Sequence, residues 1–187
     1  MVTGAARPAY AVAAATPDPE LPALTIEDLG ILRSVDDPPG QGVVITITPT
    51  YSGCPAMREI AADIEARLHR AGFPRVTVAT RLAPPWSTDW ITAEGRRKLA
   101  AAGIAPPSAA PSRAGPVPLT LAYPPPASAL AAGPLSSGPL APGPLAPGCP
   151  RCGSADTRLT AQFGATACKS LHRCAACGEP FESVKPL

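Results

Sequence analysis

Aromatic residues are scarce in this chain: two Trp, three Tyr and three Phe among 187 residues. With so few large side chains, and an apolar fraction of 45 % that leans on Ala, any folded core is small. No apolar run long enough for a membrane-spanning helix is free of proline and charge, which excludes such a span from the reading. Basic runs are missing as well. The net charge is +2, from 16 basic and 14 acidic residues, and nothing approaches a polybasic footprint, so neither nucleic acid nor a membrane is an expected partner. Ala9 to Ala15 is too short and too Ala-rich for a secretory signal and follows a single Arg. Residues 1–19 read as a disordered N-terminus, and the protein as cytoplasmic.

Proline is in excess. Together 27 Pro and 16 Gly approach a quarter of the chain, above the ordinary globular share. The excess concentrates in residues 106–148, which hold 13 Pro, 10 Ala, 5 Gly and 5 Ser and one charge, Arg113. Proline at that density sustains neither helix nor sheet, so this stretch reads as a linker. Its five-residue repeat, GPLSS-GPLAP-GPLAP from Gly133, reads as a semi-extended spacer, with a Pro-rich docking ligand as the other reading. Two folded pieces flank it: residues 20–105, with charge −1, and residues 149–187, with charge +2. The second is too short to fold unaided and needs a metal or disulfides.

In the first piece, Leu24 to Val35 has apolar spacing for a short helix with a Thr25/Asp28 capping pattern, against which Gly30 counts. Val43 to Thr48 is β-branched throughout and predicts a strand. Met57, Ile60, Ala61, Ile64 and Leu68 keep helical spacing, and Gly72 then stops the helix. Val76 to Thr80 predicts a second strand, parallel to the first if the helix is a right-handed crossover. Thr92 to Ala102 gives a last helix, ended by Gly103. The expected fold class is α/β: a small α-β-α-β-α domain with a C-terminal zinc-ribbon-like domain joined by a Pro-rich linker. Trp86 and Trp90 read as core anchors, with an interaction surface as the other reading, and Asp89 as a cap for the last helix.

The strongest chemical signal is a pair of knuckles, Cys149-Pro-Arg-Cys152-Gly and Cys174-Ala-Ala-Cys177-Gly. Each CxxC turn aims two thiolates at one ion, and the following Gly permits the tight turn; together they make a closed four-cysteine site. Structural zinc is the default occupant, because a closed site leaves no open coordination position and a short tail needs the metal to fold. Iron fits the same spacing. Without a secretory signal, a disulfide framework is disfavoured. Cys168 and His172 lie just before the second knuckle, and for them an additional ligand or transfer site stands against a plain core or surface residue.

Cys54, in Tyr51-Ser-Gly-Cys54-Pro55, falls at the expected N-cap of the central helix, with Pro55 at its first position. The helix dipole there favours a thiolate, so Cys54 reads either as a nucleophile or soft-metal ligand or as a small buried apolar residue. No His, Asp or second Cys stands beside it in sequence, and His69 falls on the solvent face of its helix.

Several segments carry a family resemblance: Asp18-Pro-Glu-Leu-Pro with Asp28-Leu-Gly, ITPTYSGCPAM from Ile47, APPWSTDWIT from Ala83, CPRCGS from Cys149 and FGATACKSLHRCAACGEPFESVKP from Phe163. The chain resembles the small D-type subunit encoded with the multicomponent phenylacetyl-CoA epoxidase, over residues 17–105 and 149–187. Its first domain also resembles the SufT-like iron–sulfur assembly family, whose functional cysteine corresponds to Cys54. The resemblance implies phenylacetate catabolism, the other epoxidase subunits and iron–sulfur assembly machinery as partners, and a transient iron–sulfur cluster or iron at Cys54. The implied partner enzyme contains a di-iron oxygenase and an iron–sulfur reductase. This chain has no paired ExxH sites, no flavin or nicotinamide fingerprint and no ferredoxin cysteine spacing, so it is not expected to be catalytic itself. Three functional readings follow: an accessory protein for centre maturation, a structural subunit of the oxygenase complex, and a nucleic-acid-binding zinc-ribbon regulator.

Overall fold

The computed structural model describes residues 6–107 and 146–186; most of the expected linker, residues 108–145, lies outside them. The first sheet has three strands in the order β1-β2-β3: β1 (Leu32–Asp36), β2 (Val43–Ile47) and β3 (Val76–Thr80). β1 runs antiparallel to β2, and β3 parallel to it, as expected for two strands joined by a crossover helix. Central β2 buries Val43, Ile45 and Ile47, and its β-branched run suits a strand packed on both edges.

The crossover helix is α2 (Ala56–Arg70). Ala56, Ile60, Ile64 and Leu68 recur every fourth residue and are buried on one face. Each of the three large side chains contributes about 1.5–3 kcal/mol through burial. The helix ends in a Schellman arrangement: Gly72 has φ +91°, its N–H donates to the His69 carbonyl, and the Phe73 N–H reaches back to that of Leu68. After β3, a single 3₁₀ turn (Thr88–Trp90) leads into α3 (Ala93–Ala101), which is capped by the Thr92 hydroxyl accepting from the Gly95 N–H.

Two expectations are corrected. The N-terminus is not disordered over residues 6–19: Ala6–Ala14 form helix α1, with Ala9 and Ala13 fully buried in the same core as α2. Alanine is the best helix former, and its small side chain lets a helix pack closely on its neighbour. Leu24–Val35 is not a helix either. The Thr25/Asp28 pattern forms as read, with the Thr25 N–H donating to the Asp28 carboxylate and the Asp28 N–H to the Thr25 hydroxyl. The turn stops at Gly30, whose φ of +68° no β-carbon-bearing residue adopts readily, and the chain then leaves as β1.

Trp86 is a core anchor, 6 % exposed, with its indole N–H donating to the Leu29 carbonyl. Trp90 is half-buried, beneath the Arg33 guanidinium. Asp89 does not cap α3; that role falls to Thr92.

The second sheet holds β4 (Ile104–Ala105), β5 (Thr157–Ala161), β6 (Lys169–Cys174) and β7 (Pro180–Val184), in the order β4-β7-β6-β5. β4 belongs to the first piece in sequence, yet it pairs in parallel with Glu182 and Ser183. Val184, at the end of β7, is buried in the first domain's core. The ribbon is thus joined to the first domain by backbone pairing and by apolar side chains shared in both directions, Val184 in the first domain's core and Ala105 in the ribbon's.

Candidate metal centre and cysteine site

The two knuckles fall on tight turns, as the sequence leads one to expect. Gly153 and Gly178 have φ of +72° and +78°, and their N–H groups donate to the Cys149 and Cys174 carbonyls. The sulfurs of Cys149, Cys152, Cys174 and Cys177 all lie within 4.8 Å of one another. The pairs across the knuckles, Cys149–Cys177 and Cys152–Cys174, stand 3.8 and 3.6 Å apart. Tetrahedral zinc with Zn–S bonds of about 2.3 Å requires sulfurs about 3.8 Å apart, so the thiol set fits that ion. Cys149 and Cys174 are buried and Cys152 and Cys177 exposed, and an Arg151–Glu179 ion pair ties the two turns together.

The Cys174 thiol is pulled down to about 7, first by the Cys177 backbone N–H. At Cys152 a Ser154 backbone hydrogen bond favours the thiolate, but the Cys177 and Cys174 sulfurs outweigh it and push the thiol up to about 12. Four sulfurs this close share their protons until a cation replaces them.

Cys168 does not join this group: among the described residues the four-cysteine cluster stands without it. Its sulfur lies 3.1 Å from the Thr166 hydroxyl, and its carbonyl accepts from the Lys185 N–H. His172 is buried, stacked on Phe181, with Nε2 2.9 Å from the Ser170 hydroxyl, and is a core residue of the ribbon. His69 is exposed on α2, as expected.

Cys54 lies in the loop between β2 and α2, beyond the carboxyl ends of the two parallel strands, the usual location of binding loops in α/β folds. The cap position belongs to Pro55, so Cys54 stands one residue outside the helix. The expected thiolate-favouring effect is overridden. Burial pushes the Cys54 thiol up, the Ala56 backbone N–H pulls it down, and the charges of Glu20, Asp18 and Cys168 add to the rise. Burial also raises the Cys168 thiol, where Thr166 and Lys169 pull down and Glu20 pushes up.

Asp18 and Glu20 are neighbours that the sequence pattern alone did not place at this loop. Asp18 is buried and accepts the N–H groups of Glu20 and Leu21, which explains the acidic motif as a loop brace that also sets the charge around Cys54.

Two sequence families divide the chain along these lines. Residues 14–79, with Asp18, Glu20 and Cys54, match the iron–sulfur cluster assembly protein family, and residues 141–185, with Cys168 and the knuckles, match the PaaD zinc beta ribbon domain. Fold and site thus define an iron–sulfur-assembly-type α/β domain followed by a zinc β-ribbon. More particularly, the chain belongs to the family of D-type subunits of phenylacetyl-CoA epoxidase. It is 39 % identical over 176 residues to an Escherichia coli (strain K12) protein provisionally named as the D-type subunit of 1,2-phenylacetyl-CoA epoxidase, covering 94 % of this chain and 90 % of that one. An Fe-S protein maturation auxiliary factor of Porphyromonas gingivalis is 30 % identical over 83 residues, 44 % of this chain and 78 % of that protein. A solved domain of unknown function from Bacillus anthracis is 29 % identical, with a TM-score of 0.46, over 50 % of this chain and 90 % of that one. Among the described residues no helix is long and apolar enough to cross a membrane.

Proposed function

We propose that this chain is a noncatalytic accessory protein of phenylacetyl-CoA epoxidase in aerobic phenylacetate degradation, and that it helps mature the iron–sulfur or di-iron centre of that enzyme. One observation carries the reading. Cys54 is a half-buried thiol beyond the ends of two parallel strands, within the segment matching the iron–sulfur cluster assembly family. A soft sulfur in that position, giving up its proton as the metal binds, suits iron or a cluster as transient cargo. The four knuckle cysteines hold zinc, which supplies folding energy to the ribbon and has no part in handling the cargo. The other epoxidase subunits are the partners, and the ribbon is the module that docks on them.

The test is to co-express the oxygenase and reductase components with wild-type chain or with Cys54→Ser, then to measure iron and acid-labile sulfide in the purified components. The reading requires iron to fall with Cys54→Ser, together with sulfide in the reductase if the iron–sulfur centre is the one served and without it in the oxygenase if the di-iron centre is, while that variant keeps its zinc. A second reading, a structural component of the complex, is favoured by the word subunit in the name of the Escherichia coli relative. It requires fixed-ratio co-purification with the oxygenase and unchanged cofactor content with Cys54→Ser.

A further inference from the structure

The Cys54 loop and the ribbon meet at a particular point. β7 enters the first domain at Val184, and Val184 pairs with Lys169 of β6. The residue before Lys169 is Cys168, whose carbonyl accepts from the Lys185 N–H, so Cys168 stands at the end of the ribbon nearest the first domain. Lys169 is only 4 % exposed; its ammonium lies 2.7 Å from Glu182 and feels the charge of Asp18, itself 6 % exposed. Cys54 packs against the same buried cluster that Val184 enters; the charges of Asp18 and Glu20 bear on Cys54, and that of Glu20 on Cys168 as well. Three segments distant in sequence therefore converge: the Asp18–Glu20 loop, the Cys54 loop and the start of β6.

We infer that Cys54 and Cys168 act together as a two-thiol cargo site spanning the junction of the two domains, taking ferrous iron or an iron–sulfur cluster. This rests on the function proposed above and adds a second sulfur ligand to Cys54, the single cysteine of the first domain. A single thiolate holds iron weakly and without orientation, whereas two thiolates on separate rigid elements chelate it. Clusters are commonly held by four thiolates, so two from this chain leave the remaining positions for a recipient's cysteines. The cargo then passes by stepwise exchange of thiolates, each incoming thiol giving up its proton as an outgoing thiolate takes one, with no change in iron oxidation state. Placing one ligand on each domain makes loading depend on the seating of the ribbon through β4–β7 and Val184. It also gives Cys168 a use that the four-cysteine site does not.

The test is anaerobic reconstitution of the full-length wild type, Cys54→Ser and Cys168→Ser with ferrous iron and sulfide, measuring iron, sulfide and zinc per chain. Retained iron and sulfide should fall about tenfold or more in each variant, with zinc equal in all three. If Cys168→Ser keeps wild-type iron while Cys54→Ser loses it, the pairing is overturned and the Cys54 function stands. If both variants keep wild-type iron, or if the wild type takes up none, both readings fall. A second measurement does not depend on the variants folding. Zinc-loaded wild type is treated with dibromobimane, which bridges neighbouring thiols, and digested for mass spectrometry. A bridged Cys54–Cys168 peptide supports the site, and separately alkylated Cys54 and Cys168 peptides overturn it.

Discussion

Val184 belongs by sequence to the ribbon and by packing to the first domain, so truncating it tests whether the two halves form one cooperative structure. Val184 is 5 % exposed within the first domain's core. Val184→Ala removes two methyl groups, worth about 1.6 kcal/mol at about 0.8 kcal/mol per buried carbon. The incompletely collapsed cavity raises the loss to about 2 kcal/mol. Both tryptophans, Trp86 and Trp90, lie in the first domain, so their fluorescence reports that domain alone. Urea unfolding of zinc-loaded full-length protein should show the tryptophan transition of Val184→Ala weakened by about 2 kcal/mol, with zinc content unchanged. A tryptophan transition within about 0.5 kcal/mol of wild type would refute the reasoning, because it would mean that the last ribbon strand does not share this core.

Three further outcomes are expected. Gly30→Ala should cost about 3 kcal/mol in thermal unfolding: the left-handed backbone alone costs about 1–2 kcal/mol, and the added carbon would meet the Trp90 Cβ and carbonyl at 2.5 Å. A variant as stable as wild type would contradict this. At Asp28, burial acts to raise the carboxyl, but Lys98, 2.6 Å away, and Thr25 outweigh it and hold the pKa below the ordinary 3.8. The depressed value contributes stability that is complete above pH 3.8 and lost as pH falls through the folded-state pKa. Asp28→Asn should therefore lower stability at neutral pH and flatten the acid limb of the stability profile; an unchanged acid limb counts against the assignment. Finally, Cys54 and Cys168 both have thiols raised from 9.0, so iodoacetamide should alkylate them in metal-free protein more slowly at neutral pH than it does free cysteine. The rate should still be rising as pH passes 9.0, and a plateau on the acid side of that value argues for an activated thiolate instead.

Signals carried by neighbouring residues were legible in the sequence. The knuckles were, because CxxC-Gly fixes two thiolates within one turn; so were α2, with its fourfold apolar spacing, and the β-branched runs of β2 and β3. What depended on distant packing was not. Ala9 and Ala13 resemble a low-complexity leader until α2 is present to bury them. Leu29, Ile31, Leu32 and Val35 suit a helix or a strand, and only the φ of Gly30 and the pairing with β2 decide between them. The acidity of Cys54 is not legible in the sequence for the same reason. The helix N-terminus is local, whereas the burial and the Glu20, Asp18 and Cys168 charges that outweigh it come from elsewhere in the chain. Cys168 lies close in sequence to the second knuckle, yet the pairing of β6 with β7 carries it away from that knuckle and toward the first domain.

The central claim, that this chain hands iron to the epoxidase, is tested most directly by following the metal. Full-length chain loaded with isotopically labelled iron and sulfide is mixed anaerobically with the metal-free reductase or oxygenase component, and label is measured on each protein after separation. The account predicts that label moves to the component at a rate that survives added iron chelator, while zinc stays on this chain. Label that remains on this chain, or that reaches the component only when chelator is omitted, would contradict direct handover.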